Sequence, residues 1–173
     1  MKIKETLLKR QEIAERVNAL GRRLTADYTG KDLVVIGILN GAFIFLADLV
    51  RAVDLHVEVD FIRVASYGHS KESSGSIKLS KEPELNLEGR DILLVEDIVD
   101  SGTTMVWLQE YFTTQHKPNS VKTCTLIDKS ERRTIDVQMD YVGFQIEEGF
   151  LVGYGLDCAQ QYRTLPDICA VEE

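Results

Sequence analysis

The densest group of chemically capable side chains lies in residues 93–104, which read LLVEDIVDSGTT. An apolar run leads into the acids Glu96, Asp97 and Asp100 and then into the small residues of 101–104. Hydroxyl residues around a glycine at a helix start can bind a phosphate, because free backbone N–H groups and the helix dipole converge there. Acids just upstream can hold sugar hydroxyls or Mg²⁺. An acidic turn before an ordinary capped helix is the structural alternative, and three acids beside the hydroxyl residues make it the weaker one.

The apolar patterns along the chain predict the elements that must position this segment. Short branched runs alternate with stretches of helical periodicity, which is typical of an α/β domain with a mainly parallel central sheet flanked by helices. We expect strands at 33–39, 56–64, 91–95, 121–127, 141–146, 151–155 and 168–171, and helices around 13–24, 43–53 and 104–112. In such sheets ligands bind beyond the carboxyl ends of the strands, at 40–42, 96–104 and 128–133 here.

Length, charge and cysteine content limit the classes of function. The 173 residues, 44% apolar and 28% charged, predict a single globular domain over 1–173. A net charge of −8 argues against binding to nucleic acid or to anionic membranes. Three cysteines without a CxxC spacing make a disulfide framework improbable and favour a cytoplasmic protein. No apolar run approaches the roughly 18 residues of a membrane span.

Residues 68–84 are the stretch with the weakest structural pattern. They are rich in Ser, Lys, Glu and Gly, and they predict a loop without regular structure. A loop of this length inside a compact domain is usually a functional lid or a disordered segment, and an idle surface loop is the alternative.

Residues 95–104, VEDIVDSGTT, resemble the phosphoribosyl-pyrophosphate (PRPP) signature of the type I phosphoribosyltransferases. Further blocks resemble the hypoxanthine-guanine branch of that family in the same order, so that the resemblance spans about residues 20–171. These blocks are GILNGAFIFLADL (37–49), EVDFIRVASYG (58–68), LIDKSERR (126–133) and VGFQIEEGFLVGYGLDCAQQYRTLP (142–166).

The resemblance implies a fold, a reaction and a cofactor. The fold has a small hood built from the two chain ends above the sheet. The reaction is a purine salvage step, in which the 5-phosphoribosyl group of PRPP moves to N9 of hypoxanthine, and of guanine, to give IMP or GMP and pyrophosphate. Mg²⁺ is the implied cofactor, and a homodimer or homotetramer is the implied assembly.

The resemblance also implies roles for the signature residues. Glu96 and Asp97 would contact the ribose hydroxyls and their Mg²⁺, and Asp100 would accept the proton of purine N7. A helix-terminal acid that interacts only with the dipole is the alternative for Asp100. The 5-phosphate would be bound by Ser101, Gly102, Thr103, Thr104 and Met105.

Further roles fall on later segments. Lys129 would donate to the exocyclic O6 of the purine, and the Phe150 ring would stack on the base while the Leu151 backbone reads its edge. Without the resemblance, a solvated lysine and a core phenylalanine would be the ordinary interpretations. Asp157 would hold a second Mg²⁺. Arg133 and Arg163 would contact the pyrophosphate, with an exposed basic turn as the alternative for Arg133.

Two more segments match loops of the family. Leu39, Asn40 and Gly41 match the pyrophosphate loop, which binds through backbone amides and whose first peptide bond is often cis. The family usually has Lys or Arg where this chain has Asn40, so the role of that side chain is open. Ser66 and Tyr67 match the start of a mobile lid over about 66–84, which would shield the reaction from water.

Three other functions compete with this hypothesis. Some proteins with the PRPP fold bind RNA and regulate transcription, but the acidic composition counts against that. A P-loop kinase or nucleotidase would need GxxxxGK[ST], which the sequence lacks. A phosphoribosyltransferase for xanthine or a pyrimidine is the third. The Lys129 block and Phe150 favour a 6-oxopurine without separating hypoxanthine from guanine.

Overall fold

The computed structural model of the chain describes residues 2–66 and 77–172. Tyr67 and the part of the predicted lid between 67 and 76 lie outside the described residues. The helices are α1 (Arg10–Tyr28), α2 (Phe43–Ala52) and α3 (Thr103–His116). The strands are β1 (Ile3–Leu8), β2 (Leu33–Leu39), β3 (Glu58–Ser66), β4 (Ile77–Lys81), β5 (Asp91–Val99), β6 (Ser120–Lys129), β7 (Tyr141–Ile146), β8 (Phe150–Val152) and β9 (Ile168–Val171).

A six-stranded sheet in the order β4-β3-β2-β5-β6-β7 forms the centre of the molecule. All of its neighbouring strands run parallel except β4, which pairs antiparallel with β3 at one edge. The predicted α/β class with a mainly parallel sheet is therefore confirmed. Because the strands are parallel, β2, β3, β5 and β6 all end at the same edge of the sheet.

Helices cover both faces of this sheet. The sequence of β5 places apolar side chains on both of those faces. Successive side chains of a strand point to opposite faces. Leu93 and Val95 pack in the core cluster formed with α1 and α2, whereas Ile92 and Leu94 pack in the cluster formed with α3. A continuous apolar run is thus needed, and it holds the carboxyl end of β5 rigidly in the middle of the molecule.

A smaller sheet in the order β1-β9-β8 forms the hood that the resemblance implied. Its strands are antiparallel, and Ile3 of β1 pairs with Val171 of β9. The sequence analysis did not predict β1, because most of its side chains are exposed and its pattern is polar. None of the helices in residues 2–66 and 77–172 is long and apolar enough to cross a membrane.

Three predicted boundaries were wrong. β5 continues to Val99, so Glu96 and Asp97 lie in the strand and not in a turn after it. Residues 77–81, expected to lack regular structure, form the edge strand β4. The strand predicted at 151–155 ends at Val152, because Gly153, Tyr154 and Gly155 all have positive φ angles.

The buried carboxylate of Asp60 fixes the start of the segment that follows β4. Asp60 accepts hydrogen bonds from the backbone N–H groups of Glu84 (2.6 Å) and Leu85 (3.0 Å), and Lys81 lies 3.5 Å away. These bonds hold the pKa of Asp60 below its ordinary value despite burial. The chain between β4 and β5 is therefore fixed to β3.

Candidate active site

The turn from β5 into α3 forms a cradle, which we define as residues 100–105. Gly102 has a φ of 86°, and a Cβ there would lie 2.7 Å from the carbonyl oxygen of Ile135. The backbone N–H groups of Thr134 and Ile135 donate to the carbonyl of Ser101, at 3.1 and 3.2 Å. The cradle is thus held from below by the chain after β6, and only glycine fits at its centre.

The hydroxyl of Ser101 accepts a hydrogen bond from the N–H of Thr103 at 3.3 Å. The sequence analysis gave an ordinary capped helix as the alternative to phosphate binding, but the N-cap position of α3 is Gly102 and the helix has no side-chain capping hydrogen bond within the described residues. The Ser101 hydroxyl also donates to the Thr103 hydroxyl at 3.3 Å, so a bound phosphate would receive that proton only if the hydroxyl rotated toward it.

A cleft opens above the cradle at the carboxyl edge of the sheet, and it has two lobes. The first lobe, about 350 Å³, lies over the cradle. Its lining residues are Ile38, Leu39, Val64, Ile77, Glu96, Ile98, Val99, Asp100, Ser101, Gly102, Thr104 and Met105. Thr103 lies beside this lobe and is exposed.

The second lobe, about 310 Å³, lies between the sheet edge and the hood. Ile98 and Asp100 line both lobes and therefore mark their junction. The other lining residues of the second lobe are Asn40, Gly41, Asp97, Lys129, Arg132, Gly149, Phe150, Leu151, Leu156, Asp157 and Arg163.

Glu96, which is half-buried, and Asp97, which is buried, form an acidic pair near the end of β5. Burial raises the pKa of Glu96 well above its ordinary value, and the neighbouring Asp97 charge raises it further. Burial also raises the pKa of Asp97, although its hydrogen bond with Glu96 and the Arg163 charge act in the opposite direction. Two carboxylates that are costly to ionise in place fit a bound cation or sugar hydroxyls, which would stabilise the charged form.

The loop after β2 approaches this pair closely. The Leu39–Asn40 peptide bond is cis. A Cβ at Gly41 would lie 1.8 Å from Oδ2 of Asp97, and a Cβ at Gly155 would lie 2.2 Å from the carbonyl oxygen of Gly41. Glycine is therefore required at 155, where φ is 105°, whereas a side chain at 41 would force the Asp97 carboxylate to move. The loop lies between β5 and the chain that leads into the hood.

Asp100 carries an unpartnered oxygen at the junction of the lobes. Within the described part of the chain, its Oδ1 is buried and has no hydrogen-bond partner. Buried polar atoms are normally bonded, and an exception calls for a functional explanation. An acceptor left free between two lobes is suited to a donor on a bound ligand.

Lys129 ends β6 in the second lobe with only 4% of the residue exposed. Its Nζ lies 2.8 Å from Oε2 of Glu131, which also accepts from the N–H of Gly149 at 3.3 Å. The Lys129 hydrogen bond lowers the pKa of the Glu131 carboxyl. Glu131 thus joins the lysine to the turn that precedes Phe150.

Arg133 is placed differently from the predicted pyrophosphate contact. Its guanidinium donates to the carbonyl oxygens of Asp100 (2.9 Å) and Lys129 (3.0 Å), and to the Asp128 carboxylate. These bonds tie the ends of β5 and β6 together, and a pyrophosphate contact would require some of them to break. Its neighbour Arg132 lines the second lobe instead.

Asp157 and Arg163 face each other across the turn that follows Gly155. Oδ1 of Asp157 lies 2.8 Å from Nη2 of Arg163. Nη1 of Arg163 donates to the carbonyl of Gly155 at 2.7 Å. Both side chains are mostly buried, and both are positioned to meet charged groups that enter the second lobe.

Comparison with known proteins agrees with this geometry. A family model described as a phosphoribosyl transferase domain matches residues 4–159. The chain belongs to the phosphoribosyltransferase family. It is 46% identical over 168 residues to the hypoxanthine-guanine phosphoribosyltransferase of Aquifex aeolicus, covering 96% of this chain and 94% of that protein. The same enzyme of Bacillus subtilis is 45% identical over 166 residues, covering 96% and 92%.

Solved structures of phosphoribosyltransferases have the same architecture. A hypoxanthine-guanine phosphoribosyltransferase of Bacillus anthracis superposes with a TM-score of 0.91 at 43% identity, covering 99% of this chain and 100% of that one. A hypoxanthine phosphoribosyltransferase of Staphylococcus aureus gives 0.92 at 40% identity, covering 98% and 92%. The predicted family, fold and enzyme class are confirmed.

The roles of individual residues in this phosphoribosyltransferase remain predictions. The structure brings most of the predicted residues to the cleft, while Arg133 and Thr103 lie beside it, and Ser66 ends β3 at the same sheet edge. Sequence reasoning missed Ile98, Glu131, Arg132, Gly149 and Leu156. The only sequence signal for Glu131 and Arg132 was their position in LIDKSERR, two and three residues after Lys129.

Proposed function

We propose that this phosphoribosyltransferase converts hypoxanthine, and guanine, with PRPP to the purine nucleotide and pyrophosphate. The observation that carries the proposal is the free, buried Oδ1 of Asp100. It lies where a lobe with a phosphate cradle meets a lobe that holds a buried lysine and an aromatic ring. Lys129 and Asp100 offer a donor and an acceptor to a base, and the cradle can bind a sugar phosphate. Together they form a site that matches the two halves of a nucleotide.

In this proposal the first lobe holds the ribose 5-phosphate. The cradle offers backbone N–H groups at the start of α3, together with the hydroxyls of Ser101 and Thr104, to the phosphate oxygens. Breakage of the anomeric C–O bond builds positive charge on the ribose. The carboxylates of Glu96 and Asp97 then stabilise that positive charge.

The second lobe holds the base and the pyrophosphate. Lys129 donates to O6 of the purine, and Phe150 stacks against the ring. Asp100 accepts the N7 proton as N9 attacks the anomeric carbon, so the proton leaves the base as the new C–N bond forms. Arg163 contacts the departing pyrophosphate, for which the planar guanidinium is well shaped.

The donor set fits Mg²⁺, with substrate oxygens completing its coordination. Among the described residues no group of three acidic, His or Cys side chains could hold a metal ion alone. Mg²⁺ is commonly bound by one or two carboxylates together with substrate phosphates and water. Glu96 and Asp97 would hold one ion and Asp157 a second. The metal would neutralise charge on the pyrophosphate, because an acidic protein supplies few positive charges of its own.

The test is an initial-rate assay with PRPP, Mg²⁺ and each of hypoxanthine, guanine, xanthine and adenine. We expect turnover with hypoxanthine and guanine, and its loss when EDTA removes the metal. Activity with adenine alone, or with no purine, would overturn the proposal. Salt-sensitive retention of RNA on filters would favour the regulatory alternative.

A further inference from the structure

The chain between Asp157 and Arg163 contains a tight turn of an unusual composition. Cys158 and Gln161 exchange backbone hydrogen bonds of 3.2 and 2.9 Å. The two residues between them, Ala159 and Gln160, have φ angles of 49° and 65°. Two successive positive φ angles define a type I′ turn, which favours Asn and Gly. Gln160 therefore occupies a position where local preference favours another residue.

Gln160 contacts both charged residues of the second lobe. Its backbone N–H donates to Oδ2 of Asp157 at 2.7 Å. Its side-chain Oε1 accepts from Nη2 of Arg163 at 3.1 Å. The same Nη2 lies 2.8 Å from Oδ1 of Asp157, so the three residues form one closed group.

A bound ligand would act on the two charges of this group in opposite ways. A metal-bound pyrophosphate would offer its cation to Asp157 and its phosphate oxygens to Arg163. Both new contacts would compete with the ion pair between Asp157 and Arg163. Arg163 would then depend on its two uncharged acceptors, the Gly155 carbonyl and the Gln160 amide. Uncharged acceptors orient a guanidinium and leave its charge available to the ligand.

We propose that Gln160 is a positioning residue, whose side-chain amide orients Arg163 toward the pyrophosphate of PRPP. Its backbone N–H holds the Asp157 carboxylate in the same group. The inference rests on the proposed function, since it assumes that pyrophosphate occupies the second lobe.

The two contacts of Gln160 allow the role of its side chain to be tested separately from that of the turn. The bond to Asp157 uses only the backbone, and any residue with a positive φ can make it. The bond to Arg163 needs the side chain. Glycine at 160 therefore keeps the turn and relieves its backbone strain, while it removes the acceptor for Arg163.

The experiment compares Gln160→Gly and Gln160→Glu with the matched control Ala159→Gly in the same turn. For Gln160→Gly we expect an unchanged or higher melting temperature. The KM for PRPP and the Kd for pyrophosphate with Mg²⁺, measured by calorimetry, should each rise about tenfold, the usual scale for a lost hydrogen bond to a charged group. The KM for hypoxanthine should stay within about twofold.

The other two variants isolate the cause. Gln160→Glu keeps an oxygen acceptor for Arg163 but adds a negative charge that competes with the pyrophosphate, so it should bind PRPP and pyrophosphate no better than Gln160→Gly. Ala159→Gly should raise the melting temperature similarly without changing either constant. A Gln160→Gly variant with wild-type affinity for PRPP and pyrophosphate would overturn the inference, and so would an equal loss in Ala159→Gly.

The same experiment separates this inference from the proposed function. A wild-type protein that turns over no purine overturns the proposed function. An active wild type whose Gln160→Gly variant is unaffected overturns only the role of Gln160. A variant that loses affinity for hypoxanthine as much as for pyrophosphate would also contradict that role, because it would indicate a general distortion of the lobe.

Discussion

The two lobes of the cleft are built in different ways. The first lobe takes its polar groups largely from one short segment, the cradle, which is supported through backbone hydrogen bonds from Thr134 and Ile135. The second lobe collects side chains from the ends of β2, β5 and β6 and from the chain around the hood. Its charged groups are held in pairs, Lys129 with Glu131 and Asp157 with Arg163.

This difference indicates which features of a ligand each lobe can distinguish. Backbone N–H groups bind any phosphate at a suitable distance, and they change little when side chains are substituted. Paired side chains can distinguish donors from acceptors on a base, but each pair depends on chain segments far apart in sequence. Substitutions in the second lobe should therefore separate the kinetic constants of the two substrates more readily.

Asp100 belongs to both lobes, and its loss should have the largest effect. Asp100→Asn keeps the shape of the side chain but cannot accept a proton. We expect kcat to fall by about 10²–10⁴-fold, the usual contribution of a general base, while the KM for PRPP changes little. Steady-state kinetics with both substrates tests this. Equal losses in turnover and PRPP affinity, or no loss, would exclude the assigned role.

Lys129→Met should act on the second lobe alone. Methionine fills the buried space but removes the donor to O6, so the KM for hypoxanthine should rise by about 30-fold. The KM for PRPP should remain near wild type. Lys122→Met on the same strand, whose side chain is 46% exposed, is the control and should change neither constant. A similar rise in both KM values would show that Lys129 also supports binding of PRPP, whose pyrophosphate shares the second lobe.

Gly102→Ala should act on the first lobe through the backbone. The added Cβ meets the carbonyl of Ile135 at 2.7 Å, and the φ of 86° disfavours alanine. We expect the free energy of unfolding to fall by about 2 kcal/mol and the KM for PRPP to rise about tenfold. Denaturant unfolding and kinetics measure the two effects.

Gly89→Ala is the matched control for that variant. Gly89 has a φ of 74°, but nothing lies within 4 Å of its added Cβ. It should lose about 1 kcal/mol of stability with unchanged kinetics. Impaired PRPP binding in this variant would mean that lost stability alone explains the Gly102→Ala result.

Asn40→Lys should have the smallest effect and the opposite sign. Asn40 lines the second lobe, at the position for which the resemblance described above implies Lys or Arg. An added ammonium should lower the KM for PRPP about threefold at low ionic strength, with the gain reduced by salt. Kinetics at two salt concentrations checks this. An unchanged KM at low salt would indicate that the loop binds through its backbone only.

The sequence was informative where one segment determines the structure. Continuous apolar runs predicted β2 and the start of β5, and the acids after Val95 predicted the position of the site. Edge strands such as β4, IKLSK, have mixed polar patterns that do not differ from a loop. Residues that act through partners distant in sequence were also missed. The position of Arg132 at the cleft and of Arg133 against the ends of β5 and β6 depends on how the end of β6 turns, which no local pattern records.

The contact of Gly41 with Asp97 and Gly155 has a consequence for the redesign of this enzyme. No residue with a Cβ fits at position 155, where it would lie 2.2 Å from the Gly41 carbonyl oxygen, so a variant library randomised there should return only glycine after selection for folded protein. A Cβ at 41 would instead displace the Asp97 carboxylate. New base specificity should instead be sought at Ile98, whose side chain lines both lobes of the cleft. Gly155 cannot vary without loss of the fold, so evolution under selection for another base would have to change other positions.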